Sequence, residues 1–351
     1  MMERIAVHRH TITDYEAGQR LDKFLRKLLP MAGDGFIYKM LRKKNITLNG
    51  KRVTGREIIR TDDEVVFFIA ISTLDSFQKS VSTTSYVEAY EKLESPRLLY
   101  EDKDILIVDK PSGVLSQKAK ADDISLGEWL IGYLLNSGGI DETSLSTFRP
   151  AVLHRLDRNT GGVVICGKTL FGSQEVSRLL RERLLRRFYL LIVNGALSEP
   201  GELRGYWEKD SKRNKSAIKL LTKDDSQAKA DGGGNDEANL VLTRYRPLKV
   251  SKGAGRGRQL TLVEAELVSG KCHQIRAQFA AFGYPLIGDY KYGDFAINDI
   301  YKHTFGIESQ LMYAARVAFP PPAACQLEDL AGKEIKAEWQ PQFELFFREI
   351  S

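Results

Sequence analysis

The sequence predicts an α+β protein: a small α/β module in front, then a larger domain with a mixed, largely antiparallel sheet and flanking helices. Two observations carry that reading. Leu21, Phe24, Leu25 and Leu28 recur at the spacing of one helix face, and Ile37, Met40 and Leu41 repeat it. Extended apolar runs at Ile105–Val108, Gly162–Cys166, Phe188–Val193 and Leu260–Leu267 are interspersed with helical stretches in no regular alternation. A doubly wound parallel sheet needs that alternation, so it is disfavoured. At 351 residues the chain has room for about two domains.

The module is placed at residues 15–71. After its two helices, the second entered past Gly33 and Gly35, come Ile46-Thr47-Leu48, the turn pair Asn49-Gly50 and Lys51-Arg52-Val53, the pattern of a β-hairpin. A strand over Val65–Ile71 closes the unit. Residues 72–95 hold six serines and three threonines with only a weak helical stretch near Tyr86–Leu93, and read as a linker. The second domain takes residues 96–351, with helices expected over Gln174–Leu185 and Cys272–Phe282. Residues 223–238 and Ser251–Gly257, rich in glycine and charge, read as loops.

Charge is unevenly spread. The chain carries 52 Lys/Arg against 46 Asp/Glu, a net +6, yet Arg20–Arg60 alone has twelve basic and three acidic residues. A local excess of +9 leaves −3 for the remainder, and points to a polyanionic partner for the module. The longest apolar run, Val65–Ile71, has seven residues, far below the roughly 20 that cross a bilayer. No secretory pattern opens the chain, and Cys166, Cys272 and Cys325 form no paired framework or zinc site. A cytoplasmic, membrane-free protein is expected.

Several motifs fail on physical grounds. Gly162-Val-Val-Ile-Cys-Gly167-Lys168-Thr169 spells a phosphate-binding P-loop, but its variable positions favour a buried strand, and no strand precedes it. Gly253 and Gly255 lack the final glycine of a dinucleotide fingerprint, where Arg258 stands. Asp157 and Asn159 hint at a calcium loop whose twelfth position is Lys168 instead of Glu. The five histidines are not at metal-ligand spacing, so no metal is expected.

Two segments carry resemblances. GQRLDKFL followed by FIYKMLRKKNITLNGKRV, across Ala17–Ile71, resembles the RNA-binding module named for ribosomal protein S-four. Its basic helix end and hairpin, Arg42, Lys43, Lys44, Lys51 and Arg52, are the candidate phosphate contacts. HRLDRNTGG, His154–Gly162, resembles the HRLDxxTSG signature of RluA-type pseudouridine synthases. In isolation an aspartate between two arginines would read as a salt-bridged loop. Three further stretches agree in order: Leu98–Gln117 with its DKPSG, Arg187-Phe188-Tyr189 leading into LLIVNG, and Ser269–Arg276 continuing to GYPLIGDYKYG. Departures are Asp109 for Asn, Gly161 for Ser, Arg187 for Lys, Ser269 for Thr, Lys271 for Arg and Cys272 for Thr. Arginine to lysine at 271 removes bidentate phosphate binding.

The resemblance implies an isomerase acting on uridine in RNA. Asp157 would be the nucleophile, Arg276 its ionic partner, and Tyr189 the residue that stacks on uracil and takes the C5 proton. Arg155 would fill the gap left by the flipped base, and Arg187 and Lys271 would contact RNA, alongside the basic stretch of Arg178, Arg181, Arg183 and Arg186. No redox or phosphoryl step occurs, so no cofactor is expected. Structured RNA, ribosomal from the large subunit or else transfer RNA, would be the partner of a monomer. The competing readings are a catalytically silent RNA-binding or ribosome-assembly protein and, more remotely, a P-loop nucleotide binder.

Overall fold

The computed structural model describes residues 7–78, 82–210, 215–221, 239–251, 259–338 and 343. The loop expected at 223–238, and all but Ser251 of the one at Ser251–Gly257, lie outside the described residues. The chain divides into two compact units, each discontinuous in sequence: Met1–Ile107 with Leu115–Arg155 and Ile165–Arg178, and Val108–Val114 with Leu156–Val164 and Leu179–Ser351.

The first unit opens with β1 (Val7–Thr11), α1 (Leu21–Leu28), α2 (Asp34–Arg42), β2 (Ile46–Leu48) and β3 (Glu64–Phe68). The strands form an antiparallel sheet in the order β1-β3-β2. α1 buries the stripe read from the sequence: Leu21, Phe24 and Leu25 are fully buried and Leu28 nearly so. They meet Ile37, Leu41, Ile46, Val65 and Phe67 in one core, where each large side chain contributes about 2 kcal/mol. The Asn49-Gly50 turn forms as expected, both residues at positive φ, with Leu48 and Lys51 exchanging backbone hydrogen bonds at 3.1 and 2.9 Å. The second hairpin arm does not continue, however, because β2 pairs with β3 instead. β1 lies ahead of the expected module.

Beyond β3 the sequence expectation changes. The strand ends at Phe68, and α3 (Ile71–Phe77) follows, burying Leu74 in the module core. α4 (Thr84–Lys92) occupies much of the serine-rich segment; its buried Ala89 and the Tyr90 ring pack it towards Trp129 of α5 (Leu126–Asn136). The unit also holds β4 (Arg97–Glu101), α6 (Glu142–Thr147) and β6 (Ala151–Val152). The division between units falls within β5 (Ile105–Lys110), β7 (Gly161–Gly167) and α7 (Leu170–Arg181).

In the second unit, β8 (Arg186–Asn194), β9 (Gly201–Asp210), β10 (Lys215–Leu220), β11 (Leu240–Val250), β12 (Leu260–Leu267) and β13 (Met312–Ala318) run in the order β10-β9-β11-β12-β8-β13. Every neighbouring pair in that series is antiparallel. β14 (Glu334–Lys336) adds to β13, and Gly161–Gly162 of β7 runs parallel to it. α8 (Gln274–Ala281) and α9 (Phe295–Phe305) flank the strands. The largely antiparallel α+β architecture is as expected.

The P-loop spelling is a strand. Gly161–Gly167 is wholly buried, and Gly162 has φ +114° where an added Cβ would sit 2.2 Å from the Ala314 carbonyl oxygen. Only glycine tolerates both conditions. Lys168 donates to Glu101 at 2.7 Å, and Thr169 donates to Asp104. Neither is free to meet a phosphate.

Candidate active site

Asp157 lies in the short connection between β6 and β7. Buried Leu156 and Thr160 anchor it on both sides, and the Thr160 amide closes a turn on the Asp157 carbonyl at 3.0 Å. The carboxylate itself is 21% exposed. Facing it is Arg276, in the first turn of α8, with a side chain only 8% exposed. Arg276 Nη1 donates to Asp157 Oδ2 at 2.8 Å, while Nε and Nη2 donate to the two oxygens of fully buried Asp289, both at 2.7 Å.

This arrangement gives Arg276 one fully buried partner and one partly exposed partner. The bidentate fork to Asp289 fixes the guanidinium plane and turns an Nη1 N–H towards Asp157. Asp289 Oδ1 also accepts the Lys291 and Tyr292 amides at 2.9 and 3.1 Å. Burial alone would raise the Asp289 carboxyl, but Arg276 and those amides outweigh it and hold it below the ordinary carboxylate range. Burial likewise works against the Arg276 charge, and the two carboxylates more than restore it. Among the described residues, Asp157 Oδ1 accepts no hydrogen bond; His273 Nε2 approaches it at 3.9 Å.

Lys110 supports the same connection from below. Its fully buried ammonium donates to the carbonyls of Pro111, Val114 and Arg158 at 2.9, 2.8 and 3.2 Å. The Gly113 amide bonds Arg158 O, and Arg158 Nε returns a bond to Gly113 O. The DKPSG turn thus grips the residues just after Asp157. Burial pulls the Lys110 ammonium down to about 8, against the charges of Asp157 and Asp109.

Tyr189 stands in β8 opposite Ala265 and Ala314, small neighbours that leave room for its ring. It is 4% exposed. Burial pushes its phenol above the ordinary value; the Arg187 charge works against that shift and the Asp157 charge adds to it.

The sequence profile of the RNA pseudouridylate synthase family matches residues 104–281, just over half of the chain. The chain belongs to that family. It is an isomerase that converts uridine to pseudouridine in RNA. An uncharacterized RNA pseudouridine synthase of Mycoplasma pneumoniae is 30% identical over 274 residues, covering 78% of this chain and 77% of that one. Ribosomal large subunit pseudouridine synthase C of Rickettsia bellii is 28% identical over 300 residues, covering 85% and 90%. The solved structure of human RNA pseudouridylate synthase domain containing 4 shares the fold, with a TM-score of 0.52 at 17% identity over 76% of this chain and 96% of that one.

Within this pseudouridine synthase fold, Arg276 bonds Asp157, and Tyr189 lies near enough to feel the Asp157 charge. Arg155 is exposed. Arg187 is half-buried, its Nη2 at 3.4 Å from Leu267 O and its guanidinium set against Gly270. Lys271 Nζ lies 5.3 Å from the centre of the Trp207 ring. Of the adjoining basic stretch, Arg186 grips Glu266 and Arg178 grips Glu175, so two of those cations are engaged within the protein. Arg42, Lys43, Lys44, Lys51 and Arg52 are all exposed on the module, with no carboxylate partner among the described residues. The sequence analysis assigned no role to Asp289, Lys110, His273 or Tyr292. Each stands inside a motif it had quoted: GDYKYG, DKPSG and SGKCHQIR.

Proposed function

We propose that the chain isomerises uridines of a structured RNA, with the large ribosomal subunit's RNA as the substrate and Asp157 as the nucleophile. The observation that carries this reading is the asymmetry of the Asp157 carboxylate: Oδ2 is held by Arg276, and Oδ1 is open and partly exposed. Arg276 keeps the group oriented, and the unbonded oxygen is available to attack. The name of the Rickettsia relative supports a ribosomal target; transfer RNA is the alternative. The basic face of the module would hold the RNA backbone, the enzyme acting as a monomer in the cytoplasm.

The reaction breaks the N1–C1′ bond, turns the base and rejoins it through C5, with loss of the C5 proton and gain of one at N1. The uridine first leaves its stack, and Arg155 takes the vacated space. Asp157 then forms a covalent adduct at the sugar C1′ or at the base. Tyr189 packs on the uracil. Its phenol is protonated at the outset, because burial raises it, so it first gives up that proton, which balances the one gained at N1, and as the phenolate then takes the proton from C5. Adduct formation removes the Asp157 charge, one of the influences holding the phenol up, and so eases that first transfer. No step calls for a metal or cofactor.

The test is Asp157→Asn, assayed by single-turnover tritium release from RNA labelled at uridine C5, with filter binding on the same preparation. The amide keeps the size of the side chain and cannot act as a carboxylate nucleophile. Turnover should fall below detection, while RNA binding persists or tightens because a negative charge is gone. Comparable turnover would make Asp157 structural. Binding without turnover in the wild type would favour the silent RNA-binding protein.

A further inference from the structure

The turn that fixes Arg276 has two sides. On the inner side, Asp289 takes the Arg276 fork, and the Tyr292 ring lies 5.3 Å from the guanidinium carbon. On the outer side, Tyr290 and Phe295 form an edge-to-face pair, with ring centres 5.4 Å apart and planes at 74°. Tyr290 is 36% exposed. Phe295, at 69%, is the most exposed large apolar side chain among the described residues. A lone exposed apolar residue needs no explanation, but a contiguous aromatic pair beside the site does.

The pair is held in place before any ligand arrives. Asp289 Oδ1 accepts the Lys291 amide, and the Gly293 amide closes on the Asp289 carbonyl at 2.8 Å, so the turn around Tyr290 is fixed. Buried Asn298, in the helix that begins at Phe295, accepts the Gly288 amide at 2.8 Å and ties that helix to the same turn. The Asp294 carboxylate is occupied in capping the helix, accepting the Ile297 amide at 3.1 Å. Lys291 Nζ is paired with no carboxylate among the described residues. Burial and the Arg276 charge lower its ammonium, against Cys272, Asp157 and Asp289. One residue along from Tyr290, the chain is thus within reach of the Asp157 charge.

We propose that Tyr290 and Phe295 form a stacking platform for a nucleobase of the RNA next to the target uridine, with Lys291 meeting a phosphate of the same stretch. The inference rests on Asp157 being the reacting group, since that brings the RNA against this turn. Drawing a uridine out of its stack uncovers the faces of the neighbouring bases, and an aromatic ring can replace the contact they lose. Stacking of a base on a ring is tolerant of sequence, because every base has a π-face. The platform therefore adds affinity for splayed, single-stranded RNA at the site. The cations of the basic module, by contrast, recognise only backbone charge.

The experiment measures binding of the full-length protein to two probes across a range of salt: an oligouridylate of about ten nucleotides and an abasic oligomer of the same length. Wild type should bind the oligouridylate more tightly. Tyr290→Leu and Phe295→Leu keep apolar bulk and remove the flat face. Each should weaken oligouridylate binding about tenfold and leave abasic binding as it was. The salt slope should not move in either, because stacking releases no counterions. Tyr290→Phe, which keeps the ring, should retain most of the affinity. Lys291→Gln should weaken both probes and reduce the slope by about 0.7. Both rings are exposed, so melting temperatures should change little. Leucine variants that bind the oligouridylate like wild type, or lose both probes equally, would overturn the platform. So would sedimentation showing that they only break a wild-type dimer, since the face would then belong to a second copy. The probes decide the platform, and tritium release by Asp157→Asn decides the reacting group, so the two failures are told apart.

Discussion

Two sets of cations in this protein behave in opposite ways. On the module, Arg42, Lys43, Lys44, Lys51 and Arg52 stand in solvent. The acids nearby are already used: Asp22 holds Arg20 and Arg26, Asp34 holds Arg26, and Glu57 accepts the Thr54 and Gly55 amides. In the second unit, Arg276 is buried and paired, with one carboxylate fixing it and the other receiving an N–H of its outward nitrogen Nη1. The exposed set is interchangeable charge, whose effect on a polyanion accumulates contact by contact and fades with salt. The buried one is geometry, and its value depends on Asp289, a fully buried partner.

That contrast predicts a steep order of effects. Arg276→Gln should be the most damaging, because it leaves Asp157 and fully buried Asp289 facing each other without a cation. Loss of one partner of a buried ion pair costs about 3–5 kcal/mol. Chemical denaturation should show a drop of that order, and turnover should vanish with it. Adding Asp289→Asn to that variant should recover much of the stability and none of the activity. Equal losses in the single and double variants would mean that the carboxylate pair is not what the arginine balances.

Lys110→Met comes next, and its signature is in the pH dependence. Folding lowers this ammonium to about 8 from an unfolded value near 10.5. Between those values the unfolded chain binds more protons, so the lysine's contribution makes stability rise with pH across that window. The penalty for burying the charge is fully present below pH 8. The difference in unfolding free energy between wild type and Lys110→Met should therefore change between pH 8 and 10, in favour of wild type as pH rises. A difference independent of pH would place the ammonium in solvent.

The mildest effects belong to the module. Replacing Arg42, Lys43 and Lys44 by glutamine should leave the melting temperature nearly unchanged. It should reduce the slope of log affinity against log salt by about 2 to 3. A single Lys51→Gln should alter that slope by about one or less and stability by less than about 0.5 kcal/mol. An unchanged salt slope in the triple variant would remove the S-four-type face from RNA binding.

Much of this molecule was legible in the order of its residues. Period-3.6 spacing gave α1 and α2, and the apolar runs gave β5, β7, β8 and β12, because burial of a single face or of a whole strand leaves a local signature. The long β9, β10 and β11 strands did not stand out, since polar residues such as Glu202, Arg204, Lys219, Arg244 and Arg246 interrupt them. Helix ends were misplaced where a left-handed residue stops the turn: His273 delays α8 to Gln274, and Arg183 lies past an α7 that ends at Arg181. Serine-rich composition concealed α3 and α4, whose stability comes from what they pack against.

The sequence by itself determined which side chains the site could draw on, since HRLD, the RFY strand start, DKPSG, SGKCHQIR and GDYKYG place every one of them at short range from its own motif. It also disfavoured the P-loop, because Val163, Val164, Ile165 and Cys166 suit a buried strand. What only the tertiary structure decided is which atoms meet. Read in isolation, the aspartate between two arginines suggests a salt-bridged loop, and only the resemblance named Arg276; Arg158 turns away to Gly113, and Asp157 bonds Arg276, 119 positions along the chain. Asp289 takes two of Arg276's N–H groups, and Tyr292 faces the ring of His273. Those pairings are directional contacts within 3 Å between residues 13 to 119 positions apart, and hydrophobic spacing, a property of neighbours along the chain, carries no information about them.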